Sequence, residues 1–163
     1  MRSIFERTAV LRSFARRLIG SSAFILFLMV AAASFAPAFA GDMPSEDAQD
    51  VLVRTTLMTF NDANMTGNYA VMLAKSSQQF QAQVTPEKLA TALEAFRTNK
   101  LFFESVVGED YDSTEKPLID KEGVLNLGGV LKSDDMQVTY KFRFVQNGSA
   151  WKLLGFNVDA KKL

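Results

Sequence analysis

The 163-residue chain contains no cysteine and no histidine. Without cysteine no disulfide can staple the fold, so burial of apolar side chains has to hold it together. Without histidine the commonest metal ligand and the commonest acid–base catalyst are both missing. Ser-His-Asp and Cys-His catalytic sites and His-based zinc sites are therefore excluded. Tryptophan is present once, as Trp151, and proline four times. Net charge is also absent, with 18 basic and 18 acidic residues, but that balance is unevenly spread along the chain.

Arg2, Arg7, Arg12, Arg16 and Arg17 form a basic head, and an apolar run follows over residues 18–39, broken by Gly20, Ser21, Ser22, Ser34 and Pro37. The run ends in Ala38-Phe39-Ala40, directly before Gly41-Asp42. A basic head, an apolar stretch and small residues at Ala38 and Ala40 predict a secretory signal peptide cut after Ala40. The alternative is an uncleaved anchor carrying an accessory domain, since the run approaches the roughly 20 residues that span a bilayer. Pro37 and the alanine pair favour cleavage. Arg16-Arg17 lacks the serine before and the phenylalanine after that mark a twin-arginine signal, and no cysteine follows to carry a lipid.

Cleavage leaves residues 41–163, the size of one ordinary domain, in a periplasmic or secreted location with no membrane contact. Removing five arginines and one glutamate from 18 and 18 leaves 13 basic against 17 acidic residues. A mildly acidic domain is a poor partner for nucleic acid, whose binders neutralise phosphates with Lys and Arg.

Along the mature chain, Pro44-Ser45-Glu46-Asp47 reads as a helix start with Ser45 as N-cap and acids in the first turn. Val53, Leu57, Phe60 and Ala63 continue at helical spacing to about residue 64, where "NMTGN" supplies a turn. A second helical stretch covers residues 69–74, and "KSSQQFQAQV" extends it as polar helix or loop anchored by Phe80 and Val84. Thr85-Pro86-Glu87 starts a third helix, with Leu89, Leu93 and Phe96 inward and an end near Asn99.

From Leu101 the pattern becomes strand-like. "LFFESVV", "PLID", "GVLNLGGVLKS", "MQVTYKFRFVQ" and "AWKLLGFNVDA" read as strands, with "GEDYDSTEKP" as a loop. Met136, Val138, Tyr140, Phe142 and Phe144 point one way, and Gln137, Thr139, Lys141, Arg143 and Val145 the other. Gln146-Asn147-Gly148-Ser149 joins this strand to the last one as a hairpin. There, Leu154, Phe156 and Val158 share one face and Trp151 and Leu153 the other, so either Gly155 marks a bulge that changes the register or both faces are partly covered. Gly128-Gly129 suggests a further bend. The fold class is α+β: three helices packed in a curved antiparallel sheet of four to five strands.

Three stretches, "TFNDANMTGNY…LAKSSQQF", "VTPEKLATALEAF" and "YKFRFVQNGSAWKLLGFNV", make residues 46–160 resemble the nuclear transport factor 2-like superfamily. That resemblance implies a cone formed by a curved sheet around a long helix, and a homodimer through the outer sheet face. The fold hosts enzymes and binding modules alike, so it selects no single function. An apolar small molecule in the cone, lined by Tyr140, Phe142, Phe156 and Phe60, is one expectation. Contact with a protein partner is another, through Lys141, Arg143, Trp151 and Lys152.

The catalytic alternative is a ketosteroid-isomerase-like site, with Tyr140 donating to an oxyanion and a nearby carboxylate such as Asp62 as base. More simply, Tyr140 is a core tyrosine and Asp62 a solvated helix end. "DYDST", at residues 110–114, matches the nucleophile box of haloacid-dehalogenase-type phosphatases, but this element order lacks the parallel sheet that box requires. The same acids lack the glycine and terminal glutamate of an EF-hand loop, so a solvated loop is expected and no metal. No cofactor is implied.

Overall fold

The computed structural model describes residues 42–163 and a short strand, β1 (Leu26–Leu28). The cleavage site at Ala38 and Ala40 lies outside the described residues, as does most of the apolar run before it. Among the described residues no helix is long and apolar enough to cross a membrane.

Helix α1 (Glu46–Thr66) begins at the expected cap, where the Ser45 hydroxyl accepts from the Ala48 N–H at 3.3 Å and Glu46 and Asp47 face the positive helix end. It runs two residues past the expected end and stops at Gly67, whose φ of 70° is the left-handed conformation that commonly closes helices. Helices α2 (Ala70–Lys75) and α3 (Gln78–Gln83) follow, the second capped by Ser77, whose hydroxyl accepts from Phe80 N–H at 3.1 Å. The polar "SSQQFQAQ" stretch is thus a separate helix with its own cap.

The expected third helix is two pieces, α4 (Pro86–Ala92) and α5 (Glu94–Thr98). Thr85 caps the first and Pro86 occupies its opening turn, as the sequence predicts. Leu93 breaks the run, with a ψ of 8°. Even so, Leu89, Leu93 and Phe96 are all buried, so the inward stripe survives the break.

A larger departure follows. "LFFESVV" is not a strand: its second half is the short helix α6 (Glu104–Val107). The buried residues Phe103 and Val106 sit three apart, a helical spacing. The Phe103 N–H is held at 2.7 Å by the side-chain oxygen of Asn61, where a ladder partner would otherwise be needed.

The acidic loop also contains structure. Strand β2 (Tyr111–Ser113) pairs with β4 (Leu125–Lys132), and the two-residue β3 (Leu118–Ile119) pairs with the start of β4. Strands β5 (Met136–Asn147) and β6 (Ala150–Lys162) form the closing hairpin through Gly148-Ser149. Gly148 takes a φ of 66°, as a tight two-residue hairpin loop requires. The antiparallel order is β1-β6-β5-β4-β2, with β3 beside β4. Gly128 and Gly129 do not interrupt the β4–β5 ladder, which keeps register from Leu125↔Phe144 to Lys132↔Gln137.

The alternation predicted for β5 holds, with Met136, Val138, Tyr140, Phe142 and Phe144 all buried. Val145, on the opposite parity, is buried as well. In β6 the bulge is real. Arg143 pairs with Gly155 and Phe144 with Leu153, leaving Leu154 as the extra residue. Its effect is to turn Leu153 inward beside Phe144, whereas Leu154 is only half-buried. Inward parity then resumes at Phe156, Val158 and Ala160.

Phe60 of α1 is the hub of the core. Its ring stacks on Phe103 at 5.3 Å and meets Phe96 at 5.3 Å and Phe156 at 5.7 Å edge-on. Helix α1 is thereby clamped between α5, the start of α6 and the hairpin. Edge-on and offset rings contribute about 0.5–1.5 kcal/mol per pair beyond the area they bury.

Candidate functional site

The flank of α1 beside its buried face carries Leu52, Thr56 and Thr59, four and three residues apart and so stacked one above another. On α2, Met72, Lys75 and Ser76 share a side by the same spacing. The hairpin presents Phe144 and Leu153, which the bulge has made cross-strand partners, and Trp151 two residues towards the turn. These three surfaces do not close on one another. Between them lies a cleft of about 310 Å³, to which Lys152 also contributes. That size is at the lower end for small-molecule sites.

Burial grades the cleft from floor to rim. Met72, Phe144 and Leu153 are 3%, 2% and 7% exposed, and Thr59 and Ser76 lie at the same depth. Leu52, Thr56 and Trp151 are half-buried, whereas Val51, Thr55 and Lys75 are exposed. The Thr56 hydroxyl donates to the Leu52 carbonyl at 2.7 Å, and that of Ser76 to the Met72 carbonyl at 2.8 Å. Both hydroxyls are therefore satisfied by their own helices, leaving a mainly apolar wall. The Lys75 ammonium folds back to donate to the Thr59 hydroxyl at 3.3 Å. Two cations, Lys75 and Lys152, line the cleft, and no carboxylate does.

The residues expected to form a pocket are elsewhere. Phe60, Phe142 and Phe156 pack into the core at 1%, 1% and 4% exposure and do not line the cleft. Tyr140 stacks on Phe142 at 4.9 Å, and its hydroxyl lies over the backbone of Gly129, its direct partner on β4. Asp62 is exposed on α1. Its neighbours Asn61 and Asn64 are the buried polar groups of that turn. Asn61 holds Phe103, and the Asn64 oxygen accepts from the Tyr69 hydroxyl at 2.8 Å. Burial raises the Tyr69 pKa above 10.0, opposed in part by the positive charge of Arg97.

Of the expected partner surface, Lys141, Arg143 and, through its pairing with Val145, Lys152 lie on one face of the hairpin, and Trp151, the partner of Gln146, on the other. Lys141 is ion-paired with Glu115, both on the solvent side. Arg143 is half-buried opposite Gly155. Trp151 packs against the core and, with Lys152, belongs to the cleft. Among the described residues no cluster of three or more acidic side chains could hold a metal ion.

The sequence singles out Trp151 and Lys152 as a partner surface and not as a pocket, and it does not single out the helix side of the cleft. The available signal was the run Thr55-Thr56-x-x-Thr59, which marks a flank of α1 that is neither core nor charged surface. Comparison with protein families, with characterised proteins and with solved structures finds no match for this chain.

Proposed function

We propose that the protein is an exported, non-catalytic binding domain whose ligand site is the cleft between α1, α2 and the β5–β6 hairpin. The cleft carries this reading: it has an apolar floor and an open rim, and two of its four hydroxyls, those of Thr56 and Ser76, are committed to their own backbone. Such a concavity fits ligand retention better than bond chemistry. Helices followed by an antiparallel sheet support a nuclear transport factor 2-like cone, and the basic, apolar and small-residue order of residues 1–40 supports export. The isomerase-like alternative requires Tyr140 and a carboxylate in one cavity. Tyr140 is outside the cleft and the cleft lining has no carboxylate, so no geometry favours it.

Native mass spectrometry of the protein purified from an exporting host tests this reading. A small molecule is expected to be retained by the wild type and lost from Thr56→Trp, which fills the cleft from its wall. Retention that is unchanged in a folded Thr56→Trp variant would place the ligand elsewhere and end the proposal.

A further inference from the structure

Resting on the cleft as the ligand site, we infer that its occupant is a single-chain amphiphile with an anionic head. The argument is a match of polarity to depth. Met72, Phe144 and Leu153 form a buried apolar floor, and Trp151 and Leu52 extend it upward. An alkyl chain placed there leaves water, and each methylene it buries favours the transfer. The charge lies at the other end, where the exposed Lys75 rests its ammonium on Thr59 of the lining and the half-buried Lys152 borders the cleft from the hairpin.

Neither lysine is committed to an acid. The ion pairs among the described residues are Arg54–Asp50 and Lys141–Glu115. Lys75 instead rests on Thr59, inside the lining. That contact to a neutral hydroxyl can be exchanged for one to an anionic ligand oxygen, which adds charge attraction and a shorter bond. The domain as a whole is acidic after residue 40, so two unpaired cations beside an apolar floor form a local departure from its average charge. A cationic amphiphile would meet like charge at this rim, and a neutral one would leave it unused. A planar bidentate head is not selected, because lysine acts as a point charge rather than a fork.

The single tryptophan lines the cleft, so its fluorescence reports occupancy without a label. The experiment titrates the purified protein at neutral pH with decanoate, monodecyl phosphate, decanol and decyltrimethylammonium, all below their micelle concentrations. Both anions are expected to shift Trp151 emission saturably. They should bind about two- to fivefold more tightly than decanol, the range of one partly exposed ion pair. Decyltrimethylammonium should bind more weakly than decanol. The ratio between decanoate and monodecyl phosphate then distinguishes a fatty-acid head from a phosphate head.

Lys75→Gln and Lys152→Gln should each reduce the ratio of anion to decanol affinity, while Lys75→Arg should retain it. Rising salt provides the same readout without mutation, weakening anion binding while decanol binding does not fall. Equal binding of anions and decanol would overturn the anionic head and leave the cleft as an apolar ligand site. No saturable response to any of the four would overturn this inference and the ligand-binding reading together.

Discussion

Gly129 and Tyr140 face each other across β4 and β5, and the tyrosine ring occupies the space a side chain at position 129 would need. A β-carbon added to Gly129 would lie 2.7 Å from the Tyr140 hydroxyl oxygen and 2.8 Å from the Asp112 carbonyl oxygen on β2. The tyrosine is packed by Phe142, and the carbonyl belongs to a paired strand, so neither can yield without moving its neighbours. Gly129→Ala is expected to lower unfolding stability by about 1–3 kcal/mol, the usual cost of overpacking. Chemical denaturation checks it; a stability within 0.5 kcal/mol of wild type, the range of ordinary surface changes, would show that the contact relaxes freely.

The Tyr69–Asn64 hydrogen bond poses a second question at this scale. Both residues are buried, and the Asn64 amide nitrogen has no hydrogen-bond partner among the described residues. Tyr69→Phe removes the one bond that satisfies the Asn64 oxygen, at a cost of about 1–3 kcal/mol. The asparagine pair was visible in the sequence only as turn residues. Their burial depends on α1 running on to Gly67, which local propensity did not show.

At the scale of elements, legibility followed how local each cause was. Ser45, Pro86 and Gly148 act within three residues of themselves, and the sequence placed their caps and turn correctly. The strand expected at Leu101 failed for a distant reason, the bond from Asn61 on α1 to Phe103. Strand β2 was hidden by its polarity, since its support comes from pairing with β4. The bulge was legible as an ambiguity, because Leu153, Leu154 and Phe156 cannot all face inward without an extra residue. The cleft was half-legible for the same reason: its hairpin side is one local unit, but its helix side depends on how α2 meets α1.

Arg54 shows one such long-range tie. Its guanidinium bonds Asp50 at 2.8 and 2.9 Å, donates to the Glu109 carbonyl at 3.0 Å and makes a further bond to the Val107 carbonyl. It thus fastens α1 to the end of α6 and the chain that leads into β2. Arg54→Met keeps the aliphatic stem but removes these donors, and should destabilise by about 1–3 kcal/mol. Hydrogen exchange gives the sharper readout: protection should fall first in α6 and β2, not in the hairpin.

For the whole molecule, the absence of histidine and cysteine determines how the protein responds to pH. Ordinary Asp and Glu side chains have lost their protons by about pH 5 and ordinary Tyr and Lys keep theirs to about pH 9, so no side chain has an ordinary pKa in between. Stability should therefore form a plateau across that interval, apart from a small step at the chain's amino terminus.

The shifted groups set its two edges. Glu87 is held below its ordinary 4.5 by its own backbone N–H at the start of α4 and by Thr85. Asp135 is held below 3.8 by the Ser133 hydroxyl and then by Ser105. For both, the unfolded chain binds protons more readily than the folded one, so their contribution is present above these values and is lost as pH falls through the lowered ones. Tyr69 works in the opposite sense. Its raised pKa means the folded state holds the proton more tightly, so its contribution is complete below pH 10.0 and is lost as pH rises beyond it. Denaturation midpoints measured from pH 3 to 11 should trace a flat-topped curve on these grounds. Tyr69→Phe should lower the whole curve and shrink its alkaline fall, while Thr85→Ala should lower the curve and shrink its acid fall. A midpoint that varied steeply between pH 6 and 8 would contradict this account, because no side chain of ordinary pKa is available there to cause it.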